Sequence, residues 1–246
     1  LRSPLAIPMT GRFAVLSPLS KILVSVLACS LLAACATSPT GRSQLMLISP
    51  EAAIVQSKQA YLSTVSDLSK EDKLLADPKL AQRVATITGR LVTVAIQKYP
   101  HTAKWEWSVA LIDDPETVNA WCMADGRMAV YSGLFAKLKL TDSEFAQIMG
   151  HEISHALANH TAERMSRAMA TSIGVLAIGV ASDRPAATMA GGAMAAKLAL
   201  ELPNSRTAET EADRIGMELA VLAGFDPDAA VTLWRKMRRH GIRAGE

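Results

Sequence analysis

The sequence predicts an α+β domain that is mostly helical and contains a small antiparallel sheet. Helix-start signals, in which a capping Ser or Asp precedes a Pro, recur at Ser49-Pro50, Asp77-Pro78 and Asp226-Pro227. Alternating apolar residues typical of strands are concentrated within residues 105–131. The roughly 210 residues that follow the N-terminal 34 suit a single domain with one core.

The helix-start signals define three helices outside the central part of the chain. Gln44–Ile48 is predicted to form a short strand, after which a helix begins at Pro50. A second helix is predicted from Pro78 to about Lys98, and a last helix from Pro227 through Arg239. In each case Pro takes the first helical position, where its missing N–H costs nothing.

The central part of the chain predicts the sheet. Trp105–Ile112 alternates enough to form a strand. Asn119–Met123 and Met128–Tyr131 predict a hairpin, because turn residues Ala124-Asp125-Gly126-Arg127 separate them.

The helix that follows the hairpin is strongly marked. Thr141-Asp142-Ser143-Glu144 is a capping box, in which side chains satisfy the free N–H groups of the first turn. Apolar residues then recur at helical spacing and predict an amphipathic helix: Phe145, Ile148, Met149, Ile153, Ala156 and Leu157.

This helix contains His151-Glu152-Ile153-Ser154-His155, which has the spacing of a zinc-dependent peptide-bond hydrolase. Residues i and i+4 stack on one face of a helix, so His151 and His155 can bind one metal ion. Glu152 projects beside the metal and is predicted to be the general base that takes a proton from water. A half-buried helix that happens to hold two histidines is the alternative reading.

A catalytic zinc usually has three protein ligands and one open position, so a third ligand is needed. His160 would lie on the opposite side of a continuous helix and is predicted to have a structural or supporting role. Downstream, Glu209 and Asp213 lie one turn apart on a second amphipathic segment. Glu209 is the predicted ligand, and Asp213 is predicted to accept a hydrogen bond from a ligand histidine. A solvated acidic helix face is the alternative.

Together these residues resemble metallopeptidase family forty-eight, the gluzincins that include the CaaX prenyl endopeptidases and the HtpX and Oma-type proteases. The family pattern continues from HExxH to Ser-Arg and ExxAD, and this chain has Ser205-Arg206 before Glu209-Thr210-Glu211-Ala212-Asp213. Asn119–Met123 with Met128–Leu134 is similar to a further family segment, and Thr40–Leu45 to the start of bacterial periplasmic lipoprotein members. The resemblance implies a zincin-like metalloprotease domain, residues 49–246, with one Zn2+ per chain.

The ends of the chain depart from the family pattern. Relatives usually continue into a helical segment with a His-Pro pair, whereas this sequence ends at Glu246 soon after His240-Gly241. We therefore expect a domain that is truncated at its C-terminus. Residue 1 is Leu, and Met9 is a candidate for the natural start.

Residues 1–34 are predicted to be a lipoprotein signal peptide. Arg12 and Lys21 precede an apolar run, Ile22–Ala34, that is too short to span a bilayer comfortably. Leu32-Ala33-Ala34-Cys35 resembles a bacterial lipobox, which implies that Cys35 is lipidated and that residues 35–48 form a tether to the membrane. Residue 36 is Ala rather than Asp, and lipoprotein sorting as known in relatives then implies the outer membrane, on its periplasmic face. Plain secretion and an uncleaved anchor are the alternatives.

Charge and cysteine content narrow the class of protein further. The signal segment holds three of the 26 basic residues and no acidic residue, so the remaining chain has 23 of each sign. A neutral chain without a recognisable motif predicts no nucleic-acid partner. Cys29 leaves with the signal and Cys35 is acylated, so Cys122 has no disulfide partner. Cys122 is predicted to be a small apolar strand residue.

Residues 168–200 are the least defined part of the sequence. Two runs rich in Ala, Gly, Met and Leu flank Asp183-Arg184-Pro185, and each run is short for a membrane span. A helical hairpin packed through small residues is expected. Contact with a membrane surface or a partner is the alternative.

These features predict a zinc metalloendopeptidase of the bacterial cell envelope. Asn119 and Ala120 are expected to offer an exposed strand edge, on which an extended substrate adds as a further strand. Misfolded or unassembled envelope proteins are the substrates that the resemblance implies. The competing class is a membrane-anchored chaperone or assembly factor with a structural or inactive zinc site. The intact Glu152 argues against it, because a structural site needs no base and usually fills all four positions.

Overall fold

The computed structural model describes residues 35–180, 190, 192 and 202–241. The predicted signal peptide, the second half of the predicted hairpin within residues 168–200, and the C-terminal residues 242–246 lie outside the described residues. The chain divides after Cys35, and Ala36–Glu246 forms one compact unit. The described part is mostly helical with two small sheets, which confirms the predicted α+β class.

Seven helices are described, numbered in chain order: α1 Pro50–Lys70, α2 Pro78–Lys98, α3 Gly133–Leu138, α4 Asp142–Leu157, α5 His160–Val180, α6 Leu202–Leu222 and α7 Ala229–Arg239. The predicted caps of the first two are confirmed, since the side chains of Ser49 and Asp77 accept N–H groups of the first turn. The capping box of α4 is also confirmed. α7 begins two residues later than predicted, because Oδ1 of Asp226 holds the N–H of Asp228 in a preceding turn.

The strands are β1 Cys35–Thr37, β2 Ser43–Leu45, β3 Ser108–Ile112, β4 Ala120–Cys122 and β5 Arg127–Tyr131. β1 and β2 form a two-stranded sheet, and the other three are arranged in the order β3-β5-β4. The predicted hairpin is confirmed, since β4 pairs antiparallel with β5. The three-stranded sheet is mixed, because β3 pairs parallel with β5. β4 therefore lies at the edge of this sheet.

Helix α4 is the centre of the packing. It packs most extensively against α6 and also contacts α2, α7 and β4. Its inward face is fully buried at Phe145, Met149 and Ile153, three of the apolar positions predicted from helical spacing. The helix that carries the motif is thus held on several sides, so its side chains have fixed positions.

Helix α5 contains the first of the two apolar runs within residues 168–200. Its outward residues Met169, Ile173 and Leu176 are 42%, 57% and 56% exposed. None of the helices in residues 35–180 and 202–241 is both long enough and apolar enough to cross a bilayer.

Candidate metal centre

The candidate metal centre lies where α4 and α6 pack side by side. A Cβ atom at Gly150 would lie 2.7 Å from the carbonyl oxygen of Gly216, and one at Gly216 would lie 2.6 Å from the backbone nitrogen of His151. Side chains are not tolerated at such distances, so the close approach of the two helices requires glycine on both. This contact brings His151 directly beside α6.

Three side chains converge here: His151 and His155 from α4 and Glu209 from α6. Nε2 of His151 lies 3.1 Å from Nε2 of His155 and 3.2 Å from Oε2 of Glu209. Nε2 of His155 lies 3.7 Å from Oε1 of Glu209. Ligand atoms about 2.0–2.1 Å from a tetrahedral zinc are about 3.3–3.4 Å from one another. The three residues therefore fit one zinc ion, and no other such group occurs among the described residues.

The charges around these side chains favour a cation between them. Burial lowers the pKa of His151, but hydrogen bonds to Asp213 and Glu209 outweigh it and raise that pKa to about 10. Burial and the charge of His151 lower the pKa of His155 to about 3. The hydrogen bond from His151 lowers the pKa of Glu209, against the effect of burial. The site thus stabilises one positive charge, as a cation site must.

Asp213 supports His151 from behind. Its Oδ1 lies 2.9 Å from Nδ1 of His151. A carboxylate only accepts, so Nδ1 of the imidazole carries the proton of this contact, and Nε2 is the nitrogen that a metal ion would take in exchange for its own proton. This is the contact that the spacing of Glu209 and Asp213 predicts. The role of Asp213 in metal binding stays a prediction.

His160 lies behind His155. α4 ends at Leu157, and Asn159 adopts a left-handed conformation with φ 55° before α5 begins. The argument from a continuous helix is therefore wrong, because the chain turns at Asn159, a residue type that tolerates this conformation. The turn brings Nδ1 of His160 to 2.9 Å from Nδ1 of His155. His160 thus contacts a predicted ligand on the side opposite to Nε2.

Glu211 is the next residue behind His160. Nε2 of His160 lies 3.1 Å from Oε2 of Glu211. Glu211 also accepts hydrogen bonds from the hydroxyls of Ser38 and Thr40 and, at 2.8 Å, from Nε of Arg42. Burial raises the pKa of Glu211, but these hydrogen bonds outweigh it and lower that pKa to about 2. Glu211 is only 5% exposed, so it is not part of a solvated acidic face.

Arg42 connects Glu211 and the groups that donate to it with helix α5. Its Nη1 and Nη2 each donate to Glu163 at 2.7 Å, a bidentate pair that fixes the guanidinium group. Nε2 of Gln44 donates to Glu163 and to the carbonyl oxygen of Ala158, both at 2.8 Å. The segment Ser38–Gln44 is thereby held against α5 and α6. In the sequence, only the resemblance of Thr40–Leu45 points to this segment, because its partners lie more than 100 residues away.

Glu152 follows His151 on α4 and interacts electrostatically with His151 and Glu209. Burial raises its pKa to about 7, with a further contribution from Glu209, and the charge of His151 opposes this shift. A carboxyl group with this pKa can both accept and donate a proton near neutral pH. Burial and, to a smaller extent, the charge of Glu152 raise the pKa of Cys122, so this thiol of β4 stays neutral.

Asn119 and Ala120, the predicted substrate-binding residues, lie at the start of the edge strand β4. Backbone hydrogen bonds at residues 119 and 123 point to β5. Because backbone groups alternate along an antiparallel pair, those of Ala120 and Cys122 point to the outer edge. The N–H of Ala120 donates to Oδ1 of Asn119 at 2.9 Å.

Comparisons with known proteins find metallopeptidases that are similar in sequence. Residues 78–243 match the model of Peptidase family M48. Mitochondrial metalloendopeptidase OMA1 of Arabidopsis thaliana is 34% identical over 182 residues, 72% of this chain and 35% of that protein. The mitochondrial metalloendopeptidase OMA1 of Bos taurus is 29% identical over 206 residues, 80% of this chain and 38% of that protein. The β-barrel assembly-enhancing protease of Escherichia coli K12 is 32% identical over 180 residues, 70% and 36% of the two chains. The chain therefore spans a little over a third of the length of these relatives.

Proposed function

The chain belongs to peptidase family M48, and from this membership we propose that it is a zinc-dependent metalloendopeptidase of the bacterial cell envelope. The observation that carries the proposal is the convergence of His151, His155 and Glu209, with Glu152 beside them. Three protein ligands with an open fourth position are typical of catalytic rather than structural zinc sites. One Zn2+ per chain is the proposed cofactor.

Each residue of the centre has a proposed task in peptide hydrolysis. Zinc, when bound, supplies a Lewis acid that polarises the scissile carbonyl and makes water acidic near neutral pH. The carboxyl group of Glu152 takes a proton from the attacking water and delivers it to the leaving amine. Asp213 holds the proton at Nδ1 of His151, which keeps Nε2 available as a ligand.

The proposed substrate site is the outer edge of β4, at Asn119 and Ala120. An extended peptide adds there as a further strand and pairs with the outward backbone groups of Ala120 and Cys122. The N–H of Ala120, which donates to Oδ1 of Asn119 in the structure, turns to a carbonyl of the peptide. Pairing through the main chain tolerates many sequences, which suits unfolded substrates.

Misfolded or unassembled envelope proteins are the proposed substrates. Support comes from the relative named β-barrel assembly-enhancing protease, which shares 32% identity over 180 residues. Cys35, a free and exposed thiol, is the proposed site of lipidation. In this proposal residues 1–34 are the signal peptide and residues 35–48 the tether, and the metallopeptidase domain lies on the periplasmic face of the outer membrane.

The test uses the full chain purified in detergent. We expect about one zinc per chain and chelator-sensitive digestion of casein. Glu152→Gln is expected to keep the zinc and to lose at least about 100-fold in turnover, because the base is removed and the ligands are not. Wild-type protein without zinc would refute the metal centre, and cleavage by Glu152→Gln would refute the base. Zinc-loaded wild type that captures an unfolded porin without cleaving it would instead support a chaperone or assembly factor.

The substrate edge has a separate test. Cys122→Pro removes an outward N–H and leaves the hydrogen bonds to β5 intact, since Pro is tolerated on edge strands. We expect a lower kcat/KM on casein at unchanged zinc content, while Cys122→Ala, which keeps the N–H, stays near wild type. Equal activity of the two variants would contradict pairing at this edge.

A further inference from the structure

A line of polar contacts runs from the back of His155 to the N-terminal segment. Nδ1 of His155 meets Nδ1 of His160 at 2.9 Å, and Nε2 of His160 meets Oε2 of Glu211 at 3.1 Å. Glu211 in turn accepts from Arg42 at 2.8 Å. The side chains of His160 and Glu211 are only 5% and 3% exposed, so these contacts are shielded from water.

A single arrangement of protons satisfies these contacts and leaves His155 able to bind a metal. Glu211 accepts from two hydroxyls and a guanidinium group, so its oxygens act as acceptors toward His160 as well. His160 then donates from Nε2, and its Nδ1 is left as an acceptor. The proton between the two rings consequently belongs to Nδ1 of His155. The lone pair of His155 is on Nε2, the atom that faces the other two ligand atoms.

We propose that His160 and Glu211 are positioning residues for the metal centre, and that the segment Ser38–Arg42 belongs to the centre because it holds Glu211. This inference depends on the proposed function, since it concerns how a proposed zinc ligand is oriented. Without Glu211, the proton of His160 is free to move to Nδ1, and the ring becomes a donor toward His155. The proton of His155 then moves to Nε2, where it opposes metal binding.

The N-terminal segment is needed because a buried carboxylate is costly without donors. Arg42 supplies a charged donor, and its bidentate pair with Glu163 prevents the guanidinium group from turning away. Ser38 and Thr40 occupy the second oxygen of Glu211. These contacts join a segment that precedes α1 to a carboxylate on α6, about 170 residues later in the chain.

The first experiment compares two replacements of His160 in the full chain. His160→Asn keeps an acceptor close to the position of Nδ1, whereas His160→Leu removes it. We expect His160→Leu to lower Zn2+ affinity, measured by competition with a chelating dye, by about 10–100-fold, and His160→Asn to restore most of this loss. The visible spectrum of bound Co2+ is expected to change in His160→Leu and to resemble wild type in His160→Asn, because it reports the ligand geometry.

The second experiment compares the two buried glutamates that share Arg42. Glu211→Leu removes the acceptor for His160, whereas Glu163→Leu removes an equally buried carboxylate that does not contact His160. We expect Glu211→Leu to lower Zn2+ affinity by about 10–100-fold. Glu163→Leu frees Arg42 to turn but leaves the acceptor of His160 in place, so it is expected to lower the affinity by a clearly smaller factor. Both variants are expected to unfold at lower urea concentration than wild type.

The outcomes separate this inference from the proposed function. Wild-type protein that binds no Zn2+ overturns the proposed function itself. Wild type that binds Zn2+, with His160→Leu and His160→Asn equal in affinity and in Co2+ spectrum, overturns the positioning role. Equal loss of affinity in Glu211→Leu and Glu163→Leu would show that the cluster acts only through stability. Should Glu211→Leu fail to fold, the two His160 variants still decide the matter.

Discussion

The two histidines of α4 are oriented by supports of opposite kinds. His151 is contacted directly at Nδ1 by Asp213, a carboxylate whose side chain is 56% exposed. Behind His155 stands Glu211, a carboxylate whose side chain is 3% exposed and which acts through His160. Both arrangements place the imidazole proton on Nδ1 and direct Nε2 to the same point. The same task is thus performed once at the surface and once in the interior.

The difference shows what burial requires of a charged group. Water solvates Asp213, so this support needs no further partner. Glu211 has lost that solvation and depends on Arg42, on two hydroxyls and on His160. We therefore expect changes on the exposed side to affect mainly metal binding, whereas changes on the buried side affect both metal binding and folding.

The largest loss of Zn2+ affinity is expected at Glu209, which lies close to both His151 and His155. Glu209→Ala removes the proposed third ligand, so Zn2+ affinity should fall by more than about 100-fold, beyond what loss of a supporting residue costs. Glu218→Ala, an exposed glutamate of the same helix that pairs with Lys98, is the matched control and should keep its zinc. Zinc content after dialysis measures both. Unchanged zinc in Glu209→Ala would mean that another residue is the ligand.

A slightly smaller effect is expected where the two helices touch. Gly216→Ala should force α6 away from α4 and thereby move Glu209 away from both His151 and His155, which should weaken zinc binding. The free energy of unfolding should fall by about 1–3 kcal/mol. Gly89→Ala is the control, because a Cβ there meets nothing within 4 Å. Because residue 89 is an exposed helical position, Gly89→Ala should raise the free energy of unfolding by up to about 1 kcal/mol. Urea unfolding and Zn2+ titration of both variants test this. Normal zinc affinity in Gly216→Ala would contradict the close contact.

The exposed support has a prediction of its own. Asp213→Asn should lower Zn2+ affinity by about 10–100-fold, because an amide orients the imidazole less well than a carboxylate. Measured on zinc-free protein, its free energy of unfolding should fall by less than that of Glu211→Leu, because the exposed Asp213 leaves no buried carboxylate partner unsatisfied. Dye competition and urea unfolding give the two values. A large loss of stability would remove the distinction between the exposed and the buried side.

The smallest effect is a pH dependence on the buried side. Burial raises the pKa of Glu163, but hydrogen bonds from Arg42 and Gln44 and the charge of Arg167 outweigh it and hold that pKa below its usual value. A carboxylate whose pKa is lower in the folded than in the unfolded chain stabilises the fold at pH values above its unfolded pKa of about 4.3. This stabilisation is lost progressively as the pH falls from that value through the folded pKa. Glu163→Gln should therefore lower the free energy of unfolding by about 1–3 kcal/mol at pH 7 and by less near pH 3. Urea unfolding at the two pH values measures it. A cost that does not change with pH would contradict the ionised pairing.

Much of the site was predictable because its spacing is local. His151 with His155, and Glu209 with Asp213, are each one helical turn apart, and capping signals define where α4 begins. These relations depend only on helix geometry, so they can be derived without knowing how the helices pack. The same holds for the hairpin of β4 and β5, whose strands are adjacent in the chain.

Other features were missed because they depend on the path that the chain takes between its helices and strands. The parallel pairing of β3 with β5 follows from the path of the chain between them, which alternation alone does not reveal. The position of His160 depends on the left-handed turn at Asn159, since extrapolating α4 places the ring on the wrong side. The misplacement of His160 arose from extending a local rule past the point where the chain changes direction.

Local periodicity thus settled which side chains share a face: the two imidazoles on α4 and the carboxylates on α6. The packing of the chain settled which faces meet, through the contact of Gly150 with Gly216. It also settled that Glu211, which looks in the sequence like one more solvated acid, is buried against Arg42. Helix geometry repeats every few residues and is visible in any sequence, whereas burial depends on partners that only the folded chain brings together.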